Sequence, residues 1–307
     1  MAPIYRMDES FDHSFFAGSS VTFGVFDGVH VGHRYLLKCA QDTNTLPGGK
    51  SIALTFDSDP DEMFHSERLK KLMRNEDRIA MLADSGVDAV VVIPFTREFA
   101  ANSPENFLRS CFGVYAPAHL HVGEDFRFGC KAAGTVTELR QWGDIKGCEI
   151  HAHKLVSFEG APVTATRIRL LLQDCKIEEA NRLLTRNYYL KETVQPGRGE
   201  GHDIGFRTAN LQVNHFDRTL GEAVYGAYAI VDGVRYKAAV SVGVSPTFEA
   251  TSSANIEVHI IDFEGDLYNQ EITVEFVKFL RPMIKFESVD ELIATVKGNI
   301  QWCRDNL

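Results

Sequence analysis

Between residues 20 and 152, short apolar runs alternate with amphipathic stretches, the habit of a parallel sheet whose faces are covered by helices. The runs VTFGVF (21–26), SIALTF (51–56), DAVVVIPF (88–95), HLHVG (119–123) and CEIHAH (148–153) predict strands. Helices are predicted between them, near 33–43, 75–85, 104–112 and 135–141, so that a crossover follows each strand. In ATRIRLLLQDCKIEEANRLL (165–184) the spacing of Ile, Leu and Ala predicts two short helices broken near Asp174 and Cys175.

After about residue 187 the texture changes. ETVQPGRGEGHDIGFRTANLQV is Gly-rich, and period-two strands then appear in AVYGAYAIV, YKAAVSVGV, NIEVHIIDF and EITVEFVKFL. Turn signals at DG (232, 233) and EGD (264–266), with a single helix predicted at 288–303, point to a small antiparallel barrel. The expected domains are therefore residues 1–187, an α/β parallel-sheet domain, and residues 188–307, a mainly-β barrel with a C-terminal helix.

A chain of 307 residues fits two modules better than one enlarged core. Hydrophobic residues make up 44% and charged residues 24%, which excludes disorder, collagen-like repeats and a coiled coil. The formal charge of −10 argues against nucleic acid as a partner, while leaving room for a local phosphate pocket. The opening MAPIYRMDESFDHSFF is too acidic and interrupted for a secretory leader, and no apolar run approaches the ~20 residues of a spanning helix, so a cytoplasmic protein without a membrane partner is expected. Cysteines at 39, 111, 130, 148, 175 and 303 form no C-x-x-C pair and have no His at zinc-finger spacing, and are read as reduced, mostly buried small hydrophobes.

The densest chemical signal is GVFDGVHVGHRYLL (24–37), where the first predicted strand hands over to the first helix. Ligands of open α/β sheets bind at such junctions, outside the carboxyl ends of the strands. Gly28 and Gly32 let backbone approach a phosphate, and a helix start near Gly32 offers N–H groups and a positive dipole end. His30 and His33, three apart, can face one pocket. Taken alone, H-x-x-H also reads as two surface or capping histidines, and a metal site lacks a third ligand at helpful spacing.

The string FGVFDGVHVGH resembles the nucleotidylyltransferase superfamily, and within it the FAD synthetase branch. HVGEDFRFGCKAAGTVTEL (121–139) is similar to that family's G-x-D/N-F-R-F-G stretch. VTATRIR (163–169) is similar to its S-S-T-x-I-R motif, with Thr166 and Arg169 matching and Thr164 and Ala165 replacing the serines. In TFDSDP (55–60), Ser58 and Asp59 stand where the family's T-F-x-P-H-P has Pro and His. The resemblance implies a Rossmann-like fold and adenylyl transfer, in which the phosphate of FMN attacks the α-phosphorus of ATP and pyrophosphate leaves. It implies that His30, His33 and Arg169 are catalytic, that Gly24, Phe26, Asp27, Gly28, Gly32 and Thr166 bind ATP or its phosphates, and that Asp125 belongs to the flavin pocket. A surface Asp capping a turn is the alternative for Asp125.

GRGEGHDIGFRTANLQV (197–213) is neither a Walker A loop nor a dinucleotide-binding fingerprint, and alone reads as a flexible loop entering a strand. Thr208 and Asn210 leave one face of an extended segment and offer oxygens suited to a hard cation such as Mg²⁺. On IEVHI, Glu257 and His259 face away from the core side taken by Ile256, Val258 and Ile260, as in any half-exposed strand. The segment resembles the riboflavin kinase motif G-x-x-x-G-R-x-x-G-F-P-T-A-N, and SVGVSPTF, NIEVHIIDFEGDLYNQ and FLRPMIKF continue that resemblance in order. It implies Gly201 and Gly205 at ATP phosphates, Thr208 and Asn210 as metal ligands, Arg281 at the flavin, and Glu257 as the base that deprotonates the ribityl 5′-hydroxyl of riboflavin. His202, Arg207, Ser241, Ser245 and Asn269 depart from the pattern, standing for Arg, Pro, Asn, Arg and Gly.

Both halves together resemble the bifunctional bacterial riboflavin kinase/FAD synthetase family, which implies riboflavin, FMN and ATP as substrates, FAD as product and Mg²⁺ as cofactor. The alternatives are an FAD synthetase whose kinase half only binds flavin, a flavin-binding regulatory protein without turnover, and a nucleotidylyltransferase for another phosphate-bearing acceptor.

Overall fold

The computed structural model describes residues 1–65, 70–196, 206–213, 220–244 and 254–307. Two compact units divide between Ala165 and Thr166, with Lys70–Leu72 grouped with the second.

The first unit carries strands β1 (Ile4–Arg6), β2 (Ser20–Phe23), β3 (Ser51–Phe56), β4 (Ala89–Ile93), β5 (His119–Gly123) and β6 (Glu149–His153). Its helices are α1 (Val31–Thr43), α2 (Pro60–His65), α3 (Asn75–Ala83), α4 (Arg97–Ala100), α5 (Pro104–Phe112) and α6 (Val136–Lys146). The six strands form one parallel sheet in the order β1-β4-β3-β2-β5-β6. A short hairpin, β7 (Ser157–Phe158) with β8 (Ala161–Pro162), follows. Every residue of β3 and β4 is buried, as near-continuous apolar runs between two helical layers require. The run at 21–26 pairs only as far as Phe23, because the chain then turns out of the sheet through Phe26, a left-handed residue.

One face of the sheet packs an aromatic core that includes Phe23, Phe56, Phe107 and Phe112. Strand β5 sends Leu120 and Val122 into it and turns His119 and His121 to the other face, where α1 lies. The parallel register sets His121 beside His151, so β6 presents His151 and His153 on that same face. His121 Nδ1 lies 2.9 Å from His153 Nε2, and His119 Nδ1 lies 3.1 Å from His151 Nε2. Burial first, and then the neighbouring imidazoles, push His121 down to about 3. Burial lowers His151 and His153 as well.

The second unit opens with α7 (Ala165–Gln173) and α8 (Ile177–Leu184), broken at Cys175, whose φ is +61°. Strands β9 (Tyr188–Gln195), β10 (Ala209–Val213), β11 (Ala223–Val231), β12 (Val234–Val244), β13 (Ala254–Ile260) and β14 (Glu271–Pro282) close into an antiparallel barrel in the order β10-β13-β12-β11-β14-β9. Asp232 and Gly233, with φ of 49° and 79°, make the two-residue turn between β11 and β12. Helix α9 (Val289–Asn306) packs on β12 and β11; there Tyr228 Oη donates to Leu307 O at 2.8 Å and Lys237 Nζ to Arg304 O at 2.5 Å. Among the described residues no helix is long and apolar enough to cross a membrane.

The histidine face has a consequence for stability. The unfolded chain takes up a proton on His121 near the ordinary value of 6.5, whereas the folded chain refuses it until about 3. The unfolded state therefore binds more protons across that window, and stability falls as the pH drops. Urea midpoints of the first unit are expected to fall steadily below pH 6.5, His121 contributing on the order of 1 kcal/mol per pH unit, and His121→Asn is expected to flatten the slope.

Candidate active sites

The first site is built where β2 stops. Gly24 N–H donates to Leu54 O at 3.2 Å, and a Cβ on Gly24 would stand 3.2 Å from the Phe26 ring. Phe26, Gly28 and Val29 then take φ of 61°, 74° and 40° around a single 3₁₀ turn. Val29 N–H donates to Phe26 O at 3.0 Å, which closes the turn. Val29, β-branched at positive φ, holds a conformation costing about 1–3 kcal/mol that its surroundings must enforce.

His30 closes this turn as the N-cap of α1, its Nδ1 accepting from His33 N–H at 3.4 Å. That bond leaves the proton of the neutral ring on Nε2. The two imidazoles stack with centroids 3.6 Å apart and planes 19° from parallel. Gly32 makes room for this pair, since a Cβ there would lie 3.2 Å from His30 Cε1. His33 is half-buried as a residue, but its Nδ1 is enclosed and has no hydrogen-bond partner among the described residues. Burial, reinforced by His30 and Arg78, holds His33 well below the usual imidazole range, so the ring is neutral.

Under the turn lies Arg78 of α3, 2% exposed. Its Nη1 donates to Val25 O at 2.7 Å and Thr55 Oγ1 at 2.6 Å, and its Nη2 to Phe56 O at 2.8 Å and Asn75 Oδ1 at 3.4 Å. Burial lowers its pKa, and the carboxylates of Asp59, Asp27, Glu62 and Asp57 oppose that shift. Asp59, which departs from the family motif, is itself raised by burial.

In the second unit, Thr208 and Asn210 leave one face of the segment entering β10, while Ala209 and Leu211 point into the barrel. Both line a cavity of about 670 Å³, with His259, Asp266, Tyr268 and Arg304. Asn210 Nδ2 donates to Thr208 O at 3.4 Å. Glu257 is exposed and does not line that cavity, but pairs directly with Asn210 across the β10–β13 ladder, so the two side chains are neighbours on one face. Asn255 Nδ2 donates to its Oε1 at 3.0 Å. Arg207 is exposed beside the cavity, and its carbonyl accepts from His259 Nδ1 at 2.9 Å.

The structure thus gathers Gly24, Phe26, Asp27, Gly28, His30, Gly32 and His33 into one turn. Asp125 is exposed in the turn after β5, Thr166 and Arg169 ride on α7, and Arg281 lies on β14 over the Phe286 ring at 5.6 Å. Gly201 and Gly205 lie outside the described residues, as do His202 and Ser245. Sequence reasoning missed Arg78, because a lone Arg in a predicted surface helix carries no mark of burial. It also missed His259 as the anchor of Arg207, which only the register reveals.

The FAD synthetase family matches residues 12–167 and the riboflavin kinase family residues 184–307. A bifunctional riboflavin kinase/FMN adenylyltransferase of Listeria monocytogenes is 32% identical over 283 residues, covering 92% of this chain and 90% of its own. The Escherichia coli protein of the same description is 32% identical over 285 residues, covering 91% and 90%. Among solved structures, one described as a macrolide-efflux protein from Streptococcus pneumoniae superposes with a TM-score of 0.81 at 25% identity, covering 100% of both chains.

Removing the Arg78 fork would take that donor from Phe56 O and leave Val25 O only the longer bond from Thr55 Oγ1 at 3.3 Å. Arg78→Met is expected to destabilise the first unit by about 2–4 kcal/mol, read as a lowered urea midpoint, with Arg78→Lys recovering less than half of the loss because an ammonium cannot span the same acceptors.

Proposed function

The chain belongs to the bifunctional riboflavin kinase/FMN adenylyltransferase family, and on that premise we propose how its residues divide the two transfers. The protein phosphorylates riboflavin to FMN and adenylylates FMN to FAD. Residues 1–187 carry the adenylyl transfer and residues 188–307 the phosphoryl transfer. The reading is carried by one observation: a stacked imidazole pair at a helix start, directly after a left-handed turn, lies in the half of the chain that matches FAD synthetase.

FMN brings an anionic phosphate to the α-phosphorus of ATP, so the adenylyl step needs no protein nucleophile, only positioning and charge stabilisation. The turn at Phe26, Asp27 and Gly28 aims backbone N–H groups at phosphate oxygens. His30 donates through Nε2, its Nδ1 being committed to the His33 amide. His33, held neutral, supplies a second N–H at little desolvation cost. Thr166 and Arg169 are assigned to the triphosphate, and Asp125 to the flavin, by motif alone.

In the kinase half Glu257 takes the proton of the ribityl 5′-hydroxyl as it attacks the γ-phosphate of ATP. Arg281 is assigned to the flavin and the Gly201–Gly205 segment to phosphates. Thr208 and Asn210 present a hydroxyl and an amide oxygen on one face of the cavity, hard donors that fit Mg²⁺ held mainly by substrate phosphates. Such an ion supplies neutralisation of charge on the phosphates when bound. Two departures from the family pattern fit this working site. Asn269 has φ of 64°, a conformation that Asn enters more readily than most residues other than Gly. Arg207, lacking a proline ring to fix its backbone, is tied by His259 instead and adds a cation where phosphates gather. The partners are small molecules, with neither nucleic acid nor membrane involved, and the compartment is the cytoplasm.

Purified protein given riboflavin, ATP and Mg²⁺ is expected to yield FMN and then FAD by chromatography. FAD formed only from supplied FMN would show a kinase half that binds without turnover, and neither product would overturn the reading. His33→Ala is expected to cut FAD formation about a hundred- to thousand-fold, ~3–4 kcal/mol of barrier, while sparing FMN formation. Glu257→Gln is expected to do the reverse. Loss of both activities in either variant with the fold intact would contradict two separate sites.

A further inference from the structure

The first unit holds a second concentration of ligand-forming side chains that neither transfer uses. Facing the histidines of β5 and β6, Cys39 stands on α1. Cys39, His121 and His153 each offer one ligand atom, and these atoms all lie within 4.8 Å of one another. We propose that Cys39, His121 and His153 form a binding site for a divalent transition metal of the zinc class, with a fourth position filled from solvent.

The hydrogen bonds around the cluster fix the protons in the way such a site needs. Thr43 Oγ1 donates its only hydrogen to Cys39 O at 2.9 Å. Toward His121 Nε2, at 2.8 Å, it can therefore only accept, so His121 carries its proton on Nε2. The Nδ1 lone pair is left facing His153 Nε2, 2.9 Å away. A histidine ligand that gives its remote N–H to an outer oxygen is the usual support of a metal-bound imidazole. Ser20 Oγ, 2.7 Å from Thr43 Oγ1, braces that oxygen in turn. The exposed Tyr35 ring stands edge-on to His153, the ring centroids 5.4 Å apart.

Without metal, one proton lies between the two facing nitrogens. A cation replaces it: His153 shifts its proton to Nδ1, and Cys39 releases its thiol proton to solvent as the thiolate forms. Metal–nitrogen bonds of about 2.0–2.1 Å and a metal–sulfur bond of about 2.3 Å set ligand atoms somewhat further apart than the two nitrogens now are and within the 4.8 Å that bounds the cluster. Two imidazoles and a thiolate select zinc, cobalt or nickel and reject Mg²⁺, so this ion is distinct from the one that accompanies ATP. His119, Glu149 and His151 form a neighbouring group within the same distance, but it lacks sulfur and includes the exposed Glu149.

Cobalt(II) added to the chelator-stripped full-length chain tests the site. One equivalent is expected to give a near-ultraviolet sulfur-to-cobalt charge-transfer band and the intense visible bands of tetrahedral cobalt, both bleached by Zn²⁺. Cys39→Ser is expected to abolish the near-ultraviolet band. His153→Gln is expected to weaken binding more than the ten- to hundredfold that an outer-shell loss causes, and Thr43→Val to weaken it by about that smaller factor with the band retained. His119→Gln is expected to change neither. Circular dichroism confirms that each variant is folded; Cys39→Ser and His153→Gln alter half-buried positions and differ little in size from the native side chains. A spectrum without the sulfur band at saturation, a band that survives Cys39→Ser, or an affinity that responds to His119→Gln and not to His153→Gln would overturn the proposal.

Discussion

The turn that carries the stacked imidazoles rests on one buried cation. At the carboxyl ends of parallel strands the ladder runs out, and carbonyls there need donors that the sheet no longer provides. Arg78 supplies them from below, joining Val25 beyond β2 to Thr55 and Phe56 of β3 with a single planar fork. A guanidinium suits this task because its donors are rigid and it keeps its charge even when burial opposes it. Four nearby carboxylates offset the cost of burying that charge. With the strand tips so fixed, the chain can hold Phe26, Gly28 and Val29 in left-handed conformations that it would otherwise relax.

The second unit positions its candidate residues by another route. Asn210 and Glu257 come from segments far apart in the chain, and what makes them neighbours is the antiparallel register of β10 and β13. The same register buries Ile256 and Val258 completely, so a slip of one residue would drive Glu257 inward and expose the core. Packing of the barrel interior therefore fixes the working face. The first unit aims backbone groups held by a strained turn, whereas the second aims side chains held by a ladder.

Much of this was legible beforehand where one local rule decides the outcome. Strands β3 and β5 and helix α5 have the ends that apolar runs and a leading Pro predict, and the break at Cys175 falls where the helical period fails. Elements were hidden where pairing rather than pattern makes them. Strand β1 is three exposed residues held by β4, and β9 begins before the Gly-rich segment whose texture masked it. Helix α6 runs five residues beyond the predicted end at 141, to Lys146 before the left-handed Gly147. The site residues divide likewise. His30 and His33 announce themselves by spacing, but Arg78 reads as a solvated helix residue until its tertiary partners are known. Reading the cysteines as buried hydrophobes fits Cys111, Cys148 and Cys303. Cys39 lies apart from them because HLH and HAH, unremarkable in each strand, become four adjacent imidazoles only when β5 and β6 pair in register.

Helix α1 joins two of these features in one rigid body. Its amino end carries the stacked imidazoles, and two turns further on it presents Cys39 and Thr43 to the histidine face. A rod of 13 residues, about 20 Å long, does not shorten or bend appreciably under small loads, so a displacement imposed at its carboxyl end arrives undiminished at the other. Whatever clamps the far end of this lever therefore sets the aim of the two imidazoles at the near one.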